Sequence, residues 1–568
     1  MESALSRPSG WAAEPKDFHW LEKNIPCQFA CPARTDIPAY LAAIARGDFN
    51  AAYGINLEAN VFPGVLGRVC ARPCEPACRH GWEGLGEPVA ICFSKRAAAD
   101  VQSLENPAAN LPRLGKTGRR IAVIGAGVAG LAAGRELARW GHAVTVFEQH
   151  ARPGGMLRQG IPAFRLPRDV VDREIGQVAA CGVEIRCGVR VGRDIAFDTL
   201  AAGFDAVVVA AGTLKPNLLG LPGGDLRGVE HGLTFLLEVN ERDRREIGRR
   251  AVVIGGGFTA IDCARVAWRL GATRTGVYYR RSRAEMRVTP GELEEMEREG
   301  IPIEFMARPT AFLGSRGRVE RVRFVRTERG PPGSDGRARP VDIPGSAFEI
   351  EADTVLLATG QAPDASWLPP GPRDGKVFLA GDFATGATTL IDAIGHAKRI
   401  ARGVDSFLTG SDRFADRVVI EDGRDTARAR ADDLLPRLPM PDLPLGQRHL
   451  DSEVETGLWT GPAREEARRC YLCHFKYEID MTKCIYCDQC VEVKPRPRCI
   501  VKAERILKDA EGRVTGWKDR SPSLEPGAPP FEYYINQEDC IRCNACLEVC
   551  PAKCICVQKV SLATVGQP

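Results

Sequence analysis

Ile121-Ala-Val-Ile-Gly125-Ala-Gly127-Val-Ala-Gly130-Leu131 is the stretch that decides the architecture. A short β-branched run precedes three glycines, and an Ala/Leu/Arg stretch of helical composition follows them. Gly125 permits the tight turn, Gly127 lets the backbone approach a pyrophosphate, and Gly130 lets the helix close on the strand. The helix N-terminus then faces the phosphates. The next strand, Ala143-Val-Thr-Val-Phe-Glu148, ends in an acid placed to bind a ribose diol. Three glycines alone are a weak signal; with both flanks and the acid they are a strong one.

Further along, Ala251-Val-Val-Ile-Gly255-Gly-Gly257-Phe-Thr259-Ala260-Ile-Asp262 repeats the pattern, with alanine in place of the third glycine. Its following strand, Thr275 to Tyr279, ends in Arg280-Arg281 instead of an acid. Two guanidiniums suit the 2′-phosphate of NADPH as bidentate donors, so NADP(H) is favoured over NAD(H). A solvated arginine pair at a strand end is the alternative. A second nucleotide fold inserted within a first is the plan of two-dinucleotide flavoprotein reductases. Val355-Leu-Leu-Ala-Thr-Gly360 is expected to return the chain to the first fold. Val377-Phe-Leu-Ala-Gly381-Asp382 then places an acid for a flavin ribityl hydroxyl, or for a helix N-cap.

Outward from this α/β region the cysteines dominate. The chain has 568 residues and 21 cysteines, with a net charge of +4 from 77 basic and 73 acidic side chains. That length calls for three or four domains. The charge is balanced and lacks a basic run, which argues against nucleic acid. Neither an apolar leader in Met1–Lys16 nor a membrane-length apolar stretch is present, so a cytoplasmic protein without a membrane partner is expected. In a long chain of that kind, closely spaced cysteines speak for ligation rather than disulfides.

Cys484-x2-Cys487-x2-Cys490 with Cys499, and Cys540-x2-Cys543-x2-Cys546-x3-Cys550-Pro551, form the paired pattern of a two-cluster bacterial ferredoxin. By its crossing rule, Cys484, Cys487, Cys490 and Cys550 hold one [4Fe–4S] centre. Cys540, Cys543, Cys546 and Cys499 hold the other. Lys494-Pro495 stands where a plain ferredoxin has Cys-Pro, and Cys499 is its substitute. Zinc is the competing ligand, though its usual spacings differ. Cys554 and Cys556 are surplus and structural; Cys181, Cys187 and Cys263 lack partners at ligand spacing and read as core.

The N-terminal cysteines run Cys27-x3-Cys31-Pro32, Cys70-x3-Cys74-x3-Cys78 and Cys92. With Arg152-Pro-Gly-Gly155-Met-Leu-Arg158-Gln-Gly-Ile-Pro and Tyr279-Arg280-Arg281, residues 20 to 405 resemble the small subunit of NADPH-dependent glutamate synthase. The N-terminal half of dihydropyrimidine dehydrogenase is similar. The resemblance implies FAD in the first fold, with Gly155 and Arg158 among its contacts, NAD(P)H in the second, and two N-terminal [4Fe–4S] clusters. It also exposes a departure. The CxxC that the family carries before Cys27 is replaced by His19 and Glu22, while Cys470-x2-Cys473 sits far downstream in a matching context. Cys470 and Cys473 are therefore expected to fold back and join Cys27 and Cys78. Cys31, Cys70 and Cys74 make the other set, with Cys92 preferred as fourth ligand over Lys95, the position of a non-cysteine ligand in relatives. Cys92 as a plain buried residue is the remaining option.

The expected fold class is an α/β two-dinucleotide flavoprotein of nested Rossmann-like domains, flanked by a helical N-terminal iron–sulfur domain and an α+β ferredoxin-like domain. The expected boundaries are 17–117 for the helical domain, 118–245 and 351–408 for the FAD-binding domain, and 246–350 for the NAD(P)H-binding domain. A linker, 409–465, leads to the ferredoxin-like domain, 466–568. Gly314–Pro340 reads as a surface hairpin or loop. No catalytic acid–base group stands out; hydride transfer needs orientation, which the protein supplies. The leading expectation is an NAD(P)H:ferredoxin-type electron-transfer subunit. It would carry FAD and four [4Fe–4S] clusters and serve ferredoxin or the catalytic subunit of a complex such as a 2-oxoacid:ferredoxin oxidoreductase. The alternatives are a glutamate synthase small subunit and, from another class, a non-enzymatic cluster scaffold or redox sensor.

Overall fold

A computed structural model of the chain describes residues 13–82, 84–242, 246–333, 336–369, 375–423, 426–519 and 531–566. Two parallel five-stranded sheets form its centre. In the first, the strand order is Val377–Leu379, Ala206–Val209, Arg120–Ile124, Ala143–Glu148, Glu184–Cys187. In the second it is Val229–His231, Thr354–Leu357, Arg250–Ile254, Arg274–Tyr279, Ile303–Phe305. The central strands are β-branched runs buried on both faces, as parallel sheets require. In each fold the helix after the glycine turn, Val128–Arg139 or Phe258–Arg269, covers the sheet. Helix Leu390–Thr409 packs against Val128–Arg139. It is held at its start by a Thr389/Asp392 capping box and at its end by left-handed Gly410.

The structure corrects the sequence reading in two places. Thr354–Leu357 does not return to the first sheet; it pairs in parallel with Arg250–Ile254 and Val229–His231 and so completes the second. The re-entry strand is Val377–Leu379, which pairs with Ala206–Val209. An apolar run records burial but not which sheet buries it. The expected linker also builds structure: Phe414–Gly423 pairs antiparallel with Ile555–Gly566 along its whole length. Ile555–Gly566 pairs on its other side with Phe475–Ile479, so the expected linker shares a sheet with the C-terminal cysteine-rich region. The excursion at 314–340 belongs to an antiparallel layer of Ala307–Ser315, Arg318–Pro332, Ala338–Asp342 and Phe348–Glu351; residues 334–335 lie outside the described ones.

The N-terminal region is helical from Phe18 to Val101. Helix Thr460–Arg468 docks on two of its members, Ile37–Arg46 and Ile91–Val101. The anchor is Glu466, fully buried, whose Oε1 accepts the Ala90 N–H at 2.7 Å and whose Oε2 accepts that of Leu438 at 2.8 Å. Ala90 is the N-cap of helix Ile91–Val101 and offers no side-chain cap of its own, so a remote carboxylate supplies it. No helix among the described residues is long and apolar enough to cross a membrane.

A second buried charge group fixes the end of the α/β unit. His142 Nε2 lies 2.8 Å from Asp405 Oδ1, and Arg413 Nε donates to Asp405 Oδ2 at 3.1 Å. Removing one member of a buried pair leaves its partners uncompensated, at a cost of about 3–5 kcal/mol. Asp405→Ala is expected to free the corner between helix Leu390–Thr409 and strand Phe414–Gly423. Amide hydrogen exchange at residues 414–423 checks this: protection should fall there and persist in the strand Arg120–Ile124.

Candidate functional site

Both glycine turns present an open approach to a phosphate. Gly127 and Gly257 head their helices, and a Cβ at either would meet no atom within 4 Å. Gly130 is the opposite case: a Cβ there would stand 1.9 Å from the Gly125 carbonyl oxygen. Gly381, at φ +60°, brings the re-entry segment against the same helix, where a Cβ would lie 2.4 Å from Ala129 Cβ. Glu148 is buried at the end of its strand, accepting the Ala126 N–H at 2.8 Å and the His150 N–H at 2.9 Å. Its carboxylate therefore lies under the glycine turn.

Gly381, not Asp382, is the N-cap of the short helix Asp382–Thr385. Asp382 accepts from Thr388 N at 3.1 Å and Oγ1 at 2.6 Å, while burial raises its pKa. Gly155 caps Met156–Gln159. Arg158 donates to Pro153 O at 3.1 Å and pairs with Asp172, which shapes this loop. Gly360, at φ +92°, ends the second sheet's strand, and its carbonyl accepts the Asn217 N–H at 3.1 Å. In the second fold Thr259 and Ala260 lie in the first turn of helix Phe258–Arg269. Arg280 is exposed beside it and buried Arg281 donates to Ala338 O at 3.0 Å. Loss of solvent and the neighbouring Arg281, Arg337 and Arg308 charges lower the Arg280 pKa. Arg337 and Arg308 come from the antiparallel layer, and sequence reading missed them because nothing local ties that layer to the nucleotide turn.

The cysteines gather into four sets. Cys27 lies among Cys78, Cys470 and Cys473, and burial drives its thiol pKa up. Cys78 is pushed up to about 11 by the same cause. The folded-back segment thus reaches the N-terminal cysteines. Cys92 lies within hydrogen-bonding range of Cys70 and Cys74, which holds its pKa down and theirs up. Buried Lys95 stands beside Cys92, Cys70, Cys74 and Cys31. Cys499 adjoins Cys540 and Cys543, and Cys546 adjoins all three. Cys490 lies near Cys484, Cys487 and Cys550, around a cleft also walled by Tyr486 and Tyr533. Cys554 sits 3.4 Å from Cys550, at the edge of this set. Cys181 and Cys263 are buried in the α/β region, Cys187 is half-buried there, and Cys556 is half-buried on the strand Ile555–Gly566.

The loops carrying these thiols share a geometry that spacing alone does not reveal. Arg72, Leu472 and Tyr486 all have positive φ, and each turns its backbone N–H toward the cysteine two residues earlier. The N···S distances are 3.4, 3.4 and 3.5 Å. Donors aimed at sulfur stabilise thiolate and tune a bound cluster.

The sets also have neighbours in a definite order. Cys31, Cys70 and Cys92 pack in one core with Ala126 and Ala129 of the first glycine turn. Tyr40 stands between this set and the next, with Cys74, Cys92, Cys27 and Cys31 around it. Arg79 adjoins both Cys473 and Cys540. Cys546 is near Cys490, and Cys487 at the far end is exposed.

The donor chemistry fits negatively charged iron–sulfur groups. Arg79 and Arg542 are 1% exposed and form no ion pair with a carboxylate among the described residues. Arg79 Nε and Arg542 Nη2 also lack a hydrogen-bond partner. Such buried cations require a counter-charge. The hint in the sequence was a basic residue next to, or two after, a ligand-spaced cysteine.

Residues 119–381 match the family model for pyridine nucleotide-disulphide oxidoreductases, and residues 22–106 match that for dihydropyrimidine dehydrogenase domain II, 4Fe-4S cluster. The NADP(+)-dependent formate dehydrogenase subunit beta of Moorella thermoacetica is 36% identical over 79% of this chain and 70% of its own. The NADPH-Fe(3+) oxidoreductase subunit beta of Geobacter sulfurreducens is 33% identical over 81% and 77%. The glutamate synthase [NADPH] small chain of Escherichia coli is 31% identical over 67% and 88%. The chain belongs to the family of FAD- and NADPH-linked iron–sulfur oxidoreductase subunits that these proteins represent.

Proposed function

We propose that this chain is the NADPH-reactive electron-transfer subunit of a larger redox complex. The observation that carries the reading is the unbroken succession of four cysteine sets from the first glycine turn to exposed Cys487. In this reading FAD lies on Gly125, Gly127, Gly130, Glu148 and the Gly381–Asp382 segment. The nucleotide lies on Gly255, Gly257, Thr259 and Ala260, with Arg280 and Arg281 toward its 2′-phosphate. When bound, the flavin converts a two-electron hydride into single electrons, and [4Fe–4S] clusters carry them singly. The chain's own work is to orient the nucleotide, exclude water and space the relay. Cys31, Cys70, Cys74 and Cys92 adjoin the flavin fold. Cys27, Cys78, Cys470 and Cys473 come next, then the two ferredoxin-like sets of the C-terminal unit. The formate dehydrogenase and Fe(3+) oxidoreductase beta subunits are named as subunits of that kind. The glutamate synthase small chain is matched over only 67% of this chain, which favours the first two as models of its role.

Each charge-assisted bond to the 2′-phosphate contributes about 1.5–3 kcal/mol. Replacing Arg280 and Arg281 with alanine is expected to raise the KM for NADPH roughly tenfold or more and to leave that for NADH nearly unchanged. Steady-state dye reduction with both nucleotides measures it; equal effects on the two would overturn the assignment.

Gly130→Ala places a methyl 1.9 Å from the Gly125 carbonyl oxygen and should yield protein without flavin absorbance but with its iron retained. Cys543→Ala tests the other end. NADPH-to-dye reduction should survive, while exchange with ferredoxin or the partner subunit should fall at least tenfold. Full coupled turnover in that variant would remove the C-terminal sets from the pathway.

A further inference from the structure

Two buried arginines meet where the N-terminal helical unit touches the C-terminal one. Arg79 follows Cys78, and Arg542 lies between Cys540 and Cys543. Each is 1% exposed. Both donate to the same acceptor, the Gln537 carbonyl, Arg79 Nη1 at 2.5 Å and Arg542 Nη1 at 3.1 Å. Arg79 Nη2 also reaches Asn24 Oδ1 at 3.0 Å, and Arg542 Nε reaches Phe475 O at 3.1 Å. These are neutral acceptors. The nearby carboxylate, Glu538, is exposed and faces Lys23 at 3.7 Å. What lies close to the guanidiniums is sulfur: Cys473 and Cys540 beside Arg79, and Cys540 beside Arg542.

Two like charges packed side by side without a carboxylate are an unfavourable arrangement in a protein interior. Arginine does not relieve it by losing its proton. The backbone of Arg542 is left-handed, at φ +54°, the same turn that Leu472 and Tyr486 make two residues after a cysteine, and it sets this guanidinium beside Cys540. Something negative on both sides of the pair must stabilise it.

Resting on the ligand sets proposed above, we infer that Arg79 and Arg542 are the shared counter-charge of the two central clusters. One of these is held by Cys27, Cys78, Cys470 and Cys473, the other by Cys499, Cys540, Cys543 and Cys546. The pair acts by position. A fixed positive charge between two redox groups favours the reduced form of each, since the reduced form carries one more negative charge. The central clusters are thereby set to higher potential than they would have alone, while the outer sets, at Cys92 and at Cys487, lie beyond the pair. The same charges join the two units through one carbonyl, so the relay's midpoint is also the joint between the halves of the protein.

The test is a potentiometric titration followed by EPR on whole, anaerobically purified protein. Wild type is compared with Arg79→Gln and Arg542→Gln, with Arg79→Lys as the charge-retaining control. Two of the four midpoints should fall by at least the equivalent of a tenfold change in the reduced-to-oxidised ratio, about 59 mV for one electron. The other two should hold, and Arg79→Lys should restore most of the shift. Unmoved midpoints, or four that shift alike, would overturn the inference. If Arg79→Gln assembles poorly, Arg542→Gln reads the same pair from the other unit. Iron analysis of Cys473→Ala and Cys540→Ala separates this from the ligand reading, each variant losing about four irons by the four-iron rule. Iron retained in those variants, with two midpoints still moving in the arginine variants, means wrong ligand sets and a surviving counter-charge role. Iron lost as expected with immobile midpoints leaves the ligand sets standing and ends the role of the pair.

Discussion

The carboxylate of Glu466 holds the two ends of the chain together. It is fully buried and takes donors from three places: Ala90 at the start of a helix, Leu438 in the approach to its own helix, and the Arg469 guanidinium. Arg469 in turn donates to Glu87 O at 2.8 Å and Pro88 O at 3.1 Å. A carboxylate in a protein interior is tolerable only when its oxygens are satisfied this fully. Its position determines where Cys470 and Cys473 arrive, a few residues later, beside Cys27 and Cys78. Without that anchor the second cysteine set would be missing half of its members.

Around this junction the molecule alternates two kinds of construction. The nucleotide folds are built on parallel sheets whose apolar interiors need no special chemistry. The cysteine regions are built on short helices and tight turns, with positive φ at Arg72, Leu472 and Tyr486, and with buried arginines among the thiols. The first kind rests chiefly on apolar burial, with a few paired charges such as His142 and Asp405 at its margin. The second carries polar and charged groups that apolar burial cannot compensate, and its stability is tied to what the thiols hold.

Much of this was legible in the residues. The glycine turns, the acid at Glu148, the arginine pair and the grouping of the cysteines follow from local spacing, because each reflects chemistry confined to one turn or loop. The displaced Cys470–Cys473 pair was legible only against the expected family pattern. What was not legible depends on contacts distant in sequence. The run Thr354–Leu357 is apolar in either sheet, and only pairing with Arg250–Ile254 decides its place. The strand Phe414–Gly423 carries four charges among its ten residues and is half-exposed, so it reads as a linker without its partner at the C-terminal end, Ile555–Gly566. Arg308 and Arg337 come near Arg280 through an antiparallel layer whose sequence gives no sign of that proximity.

The fold-back of the segment after Arg469 also bears on how the protein is made. Cys27 and Cys78 emerge from the ribosome early, and Cys470 and Cys473 only after both nucleotide folds have been synthesised. Those four thiols cannot meet during most of translation. The set nearest the first glycine turn is drawn wholly from residues 31–92, so it is complete almost from the start. The order of the polypeptide itself therefore stages the gathering of the thiols. One set of thiols is together on the nascent chain, and its neighbour only on the finished one.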